Sequence, residues 1–324
     1  MSSLAEIRTV IEKELEEFEV FFRQSMKSSV PLLDKITYYL VKRRGKQIRP
    51  TLVFLSAGMF GNINPLTYRA ASLIELLHTA TLVHDDVVDD TYRRRGFFSI
   101  NALWKNKIAV LVGDYLLSRG LLLAIDNKDF SLLEKISTAV RKMSEGELLQ
   151  IEKTRKLNIN ESEYMEIICG KTASLVAACC ACGAISAGYP ETEAQRMWDM
   201  GELLGMAFQI KDDLLDYTTD NDTGKTAGTD IKEKNISLPL IHALEQSGAI
   251  ERIKMINLIK NHSSEPGTKD IVFNFVNTYK GIEYAGTRMT EYSQKARTML
   301  KEVKDSVYKT AFEELITFVT ERKN

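Results

Sequence analysis

Proline is scarce in this chain, with 6 residues among 324, and only 18 residues are glycine. Because these two residues are the most unfavourable in helix interiors, their scarcity allows long uninterrupted helices. The formal net charge is −1, so the chain lacks the basic excess that binds nucleic acid through counterion release. We therefore expect a helical protein with no nucleic-acid partner.

The chain also lacks the features of an exported or membrane-spanning protein. Its N-terminus, MSSLAEIRTVIEKELEEF, is amphipathic and acidic and has no apolar signal-peptide core. No apolar run reaches the roughly 18–20 residues that a spanning helix needs. The four cysteines lie in one Ala-rich helical stretch, where Cys-x-Cys spacing suits neither a disulfide nor a zinc site. We expect a cytoplasmic protein whose cysteines are reduced and buried.

Apolar residues recur at helical spacing along nearly the whole chain. Neither strand alternation nor a linker between domains is found. We therefore predict an all-α fold in one domain over residues 1–324. The predicted helices cover residues 4–27, 31–43, 49–60, 65–90, 107–126, 130–157, 161–187 and 191–219, then a polar loop over 220–236 and three or four shorter helices.

Two aspartate clusters share the form Asp-Asp-x-x-Asp. Their members are Asp85, Asp86, Asp89 and the adjacent Asp90 in the first, and Asp212, Asp213 and Asp216 in the second. Helix positions i and i+4 lie about 40° apart around the axis and about 6 Å along it, so the outer aspartates of each cluster face the same way. Carboxylate pairs of this kind hold Mg²⁺ together with water and substrate phosphates.

A solvated acidic surface is the alternative for either cluster taken alone. Both clusters, however, end strongly apolar helical segments, LIELLHTATLV and LLGMAFQI, and uncompensated charge beside a buried face is costly. Two copies of one spacing, far apart in the chain, also favour a shared role. We predict that the two clusters face each other across one pocket.

Basic residues near these clusters offer the charge and hydrogen-bond donors that a diphosphate needs. They are Lys46 and Arg49 in the GKQIRP turn, His78 two turns before Asp85, Arg93, Arg94 and Arg95 after the first cluster, Lys171 beside Thr172, and Lys225 and Lys234 in the polar loop. Taken singly, each has a structural alternative, such as a solvated loop lysine, a core histidine or an arginine paired with nearby acids. Taken together, they match the needs of a site for two diphosphates.

As a set, these motifs resemble those of the trans-isoprenyl diphosphate synthases, the polyprenyl synthetase family. The motifs are GKxxRP, HxxxxxHDDxxDD, RRG, GKT, FQxxDDxxD and a GK-containing loop that ends in LPL, and they span essentially the whole chain. The resemblance implies a single large helical bundle of the isoprenoid synthase type around a central cavity. It also implies a homodimer and a Mg²⁺-dependent condensation of isopentenyl diphosphate, head to tail, with an allylic diphosphate.

The resemblance assigns a role to each site residue. Three Mg²⁺ ions would be bound by Asp85, Asp89, Asp212 and Asp216, and Mn²⁺ can substitute for Mg²⁺. Asp86 and Asp213 would belong to the catalytic residues and would lie beside the metal ligands. The allylic diphosphate would be held by Arg94, Lys171, Thr172, Gln209 and Lys225. Isopentenyl diphosphate would be held by Lys46, Arg49, His78 and Arg95, and Lys234 is a further candidate for substrate binding.

Three places depart from the family pattern. Arg44 and Gln47 replace a glycine and an arginine in the first basic motif, and Phe98 stands where proline often follows RRG. Asn235 replaces a lysine that is common in relatives, which puts the role of the adjacent Lys234 in doubt. None of these changes touches the expected metal ligands.

The length of the product depends on the depth of the cavity. In the family, bulky aromatics four or five residues before the first aspartate stop the growing tail, and here those positions are Thr81 and Ala80, with Leu77 one turn deeper. One isoprene unit is about as long as one helical turn, so we expect a product of about six to nine units, used as a quinone side chain. Ala80→Phe should shorten it. The alternatives are that another helix closes the cavity sooner, or that a farnesyl or geranylgeranyl product is made.

Three other functions remain as rivals. A class I terpene cyclase would share one Asp-rich motif but would have no isopentenyl site. A non-catalytic subunit of a heteromeric synthase typically loses aspartates, and both clusters are complete here. A helical scaffold would bind no diphosphate. We also expect contact with a membrane surface when an apolar product leaves.

Overall fold

The protein is described here by a computed structural model that covers residues 3–42, 45–94, 96–156, 158–218 and 228–321. Within these residues the fold is all-α apart from one short hairpin, which confirms the predicted fold class. The hairpin pairs β1 (Arg93–Arg94) with β2 (Phe97–Phe98) in antiparallel fashion. That residues 1–324 form one domain stays a prediction.

Ten helices precede the polar loop. They are α1 (Leu4–Arg8), α2 (Glu12–Ser25), α3 (Pro31–Lys42), α4 (Ile48–Phe60), α5 (Pro65–Val88), α6 (Ile100–Asp126), α7 (Phe130–Lys156), α8 (Glu161–Ile168), α9 (Ser174–Ser186) and α10 (Glu191–Asp216). A 3₁₀ turn, Thr9–Ile11, joins α1 to α2, and a π-helical turn, Cys169–Ala173, joins α8 to α9.

Six helices follow the ten. They are α11 (Thr229–Glu233), α12 (Leu238–Gln246), α13 (Ala249–His262), α14 (Thr268–Thr278), α15 (Gly281–Leu300) and α16 (Val307–Glu321). The short helix α11 lies within the segment predicted as a polar loop, and five helices rather than three or four complete the described chain. Local capping sets several starts: the Asn64 side chain accepts the Leu66 N–H ahead of Pro65 at the start of α5.

Helix α6 begins earlier than predicted. It starts at Ile100 rather than at residue 107 because Ser99 precedes it in an extended conformation and the helix continues through a kink at Lys105, whose φ is +69°. A side chain seldom adopts this conformation, and it divides α6 into a short first segment, which was not predicted, and a second segment that matches the helix predicted from residue 107.

The apolar core has two main parts. The larger part packs side chains of α1–α7, α9, α10, α15 and α16, and the smaller part packs α8 and α10–α15. Helix α10 contributes to both parts, and its C-terminal end, which carries the second aspartate cluster, packs in the smaller part through Ile210 and Leu214. Cys179, Cys180 and Cys182 are buried as expected, whereas Cys169, at the start of the π-helical turn, is only half-buried.

Two helical segments are long and apolar enough to cross a membrane by length and composition, contrary to the expectation from uninterrupted apolar runs. They are α6 and the continuous segment Glu161–Ser186. In the most apolar 18 residues of Glu161–Ser186, 78% of the residues are buried, as in a core helix. In the most apolar 18 residues of α6, only 33% are buried. Helix α6 therefore presents apolar side chains on the protein surface.

Candidate active site

A cavity of about 650 Å³ lies between α2, α4, α5, α9, α10 and α16 and is here called the main cavity. Its charged and polar lining includes Lys46, Arg49, Glu75, His78, Asp86, Lys171, Thr172 and Asp212. Its apolar lining includes Phe18, Phe22, Leu52, Leu204, Phe208 and Leu315. Each aspartate cluster contributes one side chain, so both clusters meet at this cavity.

The first aspartate cluster forms the C-terminal end of α5. Asp86 is buried, with 5% exposure, and lines the main cavity, whereas Asp85 is half-buried and Asp89 is exposed. The helix ends there because Asp89 is its C-cap, and the Asp89 N–H donates to the Asp85 carbonyl at 2.8 Å. Asn101 Nδ2 donates to the Asp86 carbonyl at 2.9 Å and thereby ties this end of α5 to α6.

Asp213, in the second cluster, is buried and engaged by two donors. The Tyr164 hydroxyl donates to one carboxylate oxygen at 2.6 Å, and Gln209 Nε2 donates to the other at 3.0 Å. Burial raises the pKa of Asp213 to about 6, although these two hydrogen bonds oppose the shift. Gln209 Oε1 in turn accepts the Thr172 hydroxyl at 2.8 Å, so a continuous chain of hydrogen bonds reaches the main cavity.

Asp216 turns its carboxylate toward the start of α11. Its two oxygens accept the backbone N–H groups of Thr229 at 3.0 Å and Asp230 at 3.2 Å. Asp230 was not predicted from the sequence, where it is one aspartate in a polar segment. Burial raises the pKa of Asp230 to about 8, and the nearby Asp213 and Asp216 raise it further. Several carboxyl groups are therefore close together at the end of α10, where the charge of one disfavours the ionisation of the next.

Lys171 lies in the π-helical turn and is held by α7. Its Nζ is 2.6 Å from Glu147 Oε2 and donates to Gln150 Oε1 at 3.1 Å. π-helical turns within α-helices occur frequently at functional sites. Glu147 and Gln150 were not predicted, although their i, i+3 spacing on α7 could have indicated that they share a face.

Two glycines allow α7 to approach this turn. A Cβ at Gly146 would lie 2.8 Å from the Lys171 backbone nitrogen, and one at Gly170 would lie 2.7 Å from the Lys142 carbonyl oxygen. Both contacts are with backbone atoms, which cannot rotate away. The positions of Lys171 and Thr172 thus depend on glycine at both places.

Arg49 of α4 and His78 of α5 also line the main cavity. Arg49 Nη1 is 3.4 Å from Glu75 Oε1, and both side chains are partly buried. His78 is buried, with 9% exposure, while Lys46 is exposed at the turn that precedes α4. This part of the lining, here called the basic wall, adds a guanidinium and an imidazole to a cavity that Lys171 and Thr172 also line.

The sequence model of the polyprenyl synthetase family matches residues 30–276. This range includes every predicted site residue. The chain belongs to the polyprenyl synthetase family. It is accordingly a trans-prenyltransferase, as the motifs predicted.

Individual relatives agree with the family assignment. The octaprenyl diphosphate synthase of Escherichia coli (strain K12) is 36% identical, over 89% of this chain and 89% of its own length. The crystal structure of a decaprenyl diphosphate synthase from Rhodobacter capsulatus matches with a TM-score of 0.93 and 32% identity, covering 99% of this chain and 100% of that one. Solved geranylgeranyl pyrophosphate synthases match as well.

A third similar structure bears on the metal. The polyprenyl synthase from Caulobacter crescentus CB15, complexed with calcium and isoprenyl diphosphate, matches with a TM-score of 0.90 and 31% identity, covering 99% of this chain and 98% of that one. Enzymes of the polyprenyl synthetase family use a divalent metal. Within the described part of this chain, no three His, Cys, Asp or Glu side chains group closely enough to hold a metal by themselves. A donor set of one or two carboxylates per ion, completed by phosphates and water, fits Mg²⁺.

Some predicted polyprenyl synthetase residues are not placed at the main cavity. Arg95 and Lys225 lie outside the described residues, and only the backbone of Arg94 is described, in β1. Lys234 ends α11 with a φ of +61°, the conformation that favours glycine. Its neighbour Asn235 accepts a hydrogen bond from Gln150 Nε2 at 3.3 Å, so Asn235, and not Lys234, contacts the residues around Lys171.

The three predicted chain-length residues also lie away from the described lining of the main cavity. Ala80 and Leu77 are buried, with 2% exposure each, and Leu77 packs beside Gly120 of α6. Thr81 is half-buried, and its hydroxyl donates to the His78 carbonyl at 2.8 Å. The face of α5 that lines the cavity instead carries Thr79, Leu82 and Val83. That Ala80, Thr81 and Leu77 set product length stays a prediction.

Proposed function

We propose that this chain extends an allylic diphosphate, farnesyl or geranylgeranyl, with isopentenyl units to give a long all-trans polyprenyl diphosphate. The observation that carries the proposal is the main cavity, which joins both aspartate clusters and several basic side chains to an apolar lining. The charged groups suit two diphosphates, and the apolar lining suits a growing hydrocarbon tail.

The diphosphate end of the reaction depends on charge. Asp85, Asp89 and Asp212, with Asp216 as a further candidate, would hold three Mg²⁺ ions, or Mn²⁺ in their place; when bound, the ions withdraw charge from the leaving diphosphate. Lys171, Arg94 and Lys225 would bind the allylic diphosphate oxygens. Glu147 and Gln150 support this role for Lys171 because they fix its ammonium beside the cavity.

The new carbon–carbon bond would form inside the main cavity. Once the allylic C–O bond breaks, the double bond of isopentenyl diphosphate attacks the allylic cation and forms the new C–C bond. Lys46, Arg49, His78 and Arg95 would hold the second diphosphate for this attack. The released pyrophosphate accepts the proton whose removal from the condensed cation forms the double bond of the product. Oxygen atoms of Thr172 and Gln209 would stabilise the cation, and the apolar lining excludes water, which would quench it.

The product that we propose is a long-chain polyprenyl diphosphate that supplies a quinone side chain. We infer that the growing tail extends beyond the main cavity along α5, where the small residues at positions 80 and 81 would leave room for it. The names of the relatives agree with a long product. The alternative is a geranylgeranyl or farnesyl product. A terpene cyclase or a non-catalytic subunit would leave the basic wall or the complete aspartate clusters without a role.

We also propose that the protein is a cytoplasmic homodimer that contacts a membrane surface when product leaves. The dimer is supported by α6, whose exposed face carries Leu103, Val110, Leu111, Leu117, Leu122 and Ile125. Beyond the kink at Lys105, Val110 and Leu117 lie seven residues apart on one face of the helix, a spacing that lets a helix pair with its own copy. A surface this apolar is typical of an interface, and a second copy of α6 is its natural occupant.

The proposal is tested by incubating the purified chain with Mg²⁺, labelled isopentenyl diphosphate and farnesyl diphosphate, then sizing the product. We expect all-trans products of about six to nine units, since each unit needs about one helical turn of cavity. EDTA should abolish turnover, and Ala80→Phe, provided that it unfolds at the wild-type temperature, should shorten the product. A released hydrocarbon would identify a cyclase, and no turnover would refute the proposal. An unchanged product from Ala80→Phe would refute only the role of position 80.

A further inference from the structure

Tyr164 is a buried residue of α8 that no motif singled out, and it lies at the far end of the hydrogen-bond chain from the main cavity. Its exposure is 4%, and its hydroxyl donates to Asp213 at 2.6 Å. Asp213 is itself buried, with 6% exposure. We propose that Tyr164 is a positioning residue that acts through Asp213 and Gln209 on Thr172, and this inference rests on the proposed function.

The direction of the hydrogen bonds follows from the chemistry of the groups. A carboxylate only accepts, so the Gln209 amide must turn its NH₂ toward Asp213. Its carbonyl oxygen then points the other way and accepts the Thr172 hydroxyl at 2.8 Å. The Thr172 hydrogen is thereby committed to Gln209, and only lone pairs of the Thr172 oxygen remain for the main cavity that Thr172 lines.

This orientation matters for a reaction that creates positive charge. A hydroxyl that presents lone pairs stabilises a nearby cation, whereas one that presents its hydrogen repels it. A group fixed before the reaction needs no reorganisation when the charge develops. Tyr164 supplies part of that fixing because it occupies the second oxygen of Asp213 and leaves the first for Gln209.

The chain offers a matched control in Tyr217, at the end of α10. Its exposure is 6%, and its hydroxyl lies 3.2 Å from the Ser237 hydroxyl, outside the chain that leads to Thr172. Tyr164→Phe and Tyr217→Phe each remove one buried hydroxyl from the same region. A purely structural role would give the two variants similar effects.

The test compares both variants with the wild type in steady-state kinetics and thermal unfolding. We expect Tyr164→Phe to lower kcat about tenfold, the equivalent of one hydrogen bond to a charged group, with the KM for isopentenyl diphosphate within about twofold. Tyr217→Phe should keep kcat. Equal losses in both variants, or full kcat in Tyr164→Phe, would overturn the inference, whereas an inactive wild type would count against the proposed function instead.

Two further measurements separate positioning from general damage. In a Thr172→Ala background, Tyr164→Phe should lower kcat by less than about twofold, because the effect passes through Thr172. A repeated tenfold loss would contradict the inference. A crystal structure of Tyr164→Phe gives a readout that needs no turnover: Gln209 should leave Thr172, and an unchanged Thr172–Gln209–Asp213 chain would overturn the proposal.

Discussion

Arg49 shows how one residue can serve both the fold and the site. Its Nη1 atom lies 3.4 Å from Glu75 Oε1. The side chain also lines the main cavity, and the other N–H groups of the guanidinium can donate hydrogen bonds there. A lysine carries a single ammonium at a different reach and cannot replace this fork. The planar guanidinium is therefore the property that this position needs.

Arg49→Lys is predicted to raise the KM for isopentenyl diphosphate about tenfold, because one charged hydrogen bond to that substrate is lost. The KM for the allylic diphosphate should change little, because Arg49 is not assigned to that substrate. Initial rates at varied concentrations of each substrate measure this split. The control is Arg69→Lys, on α5, where the arginine pairs with Asp129 outside the cavity lining. Equal increases in both KM values would contradict the assignment of Arg49 to one substrate.

At the scale of the element, the π-helical turn Cys169–Ala173 is the feature that presents Lys171 and Thr172 together. The extra residue in this turn changes the direction of side chains relative to a regular helix. Close packing of α7 against the turn holds it in place, and Gly146 is where the two backbones come nearest. A methyl group there would press on backbone atoms of the turn.

Gly146→Ala should therefore destabilise the protein by about 1–3 kcal/mol and lower kcat, because overpacking shifts the turn that carries Lys171. Gly286→Ala, on α15, is the matched control: its added Cβ would meet nothing within 4 Å. That substitution should be neutral or stabilise by up to about 1 kcal/mol, since alanine favours helix. Denaturant unfolding and kcat are measured for both. A Gly146→Ala protein as stable and active as Gly286→Ala would refute the argument.

At the scale of the whole molecule, α6 is unusual because a long apolar helix keeps much of its surface outside the core. Burying such a face against a second copy removes apolar area from water, which is the main driving force for obligate association.

Light scattering is predicted to give twice the 36.7 kDa chain mass for the wild type and the single-chain mass for Leu111→Glu. Leu111 is 55% exposed, so a charge there spares the fold of one copy but cannot be buried between two. Ile253→Glu, on α13 and 68% exposed, is the control and should remain a dimer. A monomeric wild type, or a dimeric Leu111→Glu variant, would exclude this interface.

The sequence by itself determined the helical class, the family and the charged residues that line the main cavity, with the exception of Glu75. Helical periodicity is a local property of the sequence. The aspartate and basic motifs are also local, because each is a run of a few residues whose type and spacing indicate its chemistry. For the same reason the sequence pointed to Asp86, Asp212, Lys171 and Arg49 before their packing was known.

Only the tertiary structure decided how distant side chains meet. The contacts of Tyr164, Glu147 and Gln150, the burial of Asp230 and the turning of Asp216 toward α11 all depend on how separate helices pack against one another. The face of α5 that lines the cavity carries the predicted His78 and Asp86, whereas Leu77 packs beside Gly120 of α6. Periodicity shows that a helix has a buried face, but the neighbouring helix decides which buried residues meet a cavity and which meet the core.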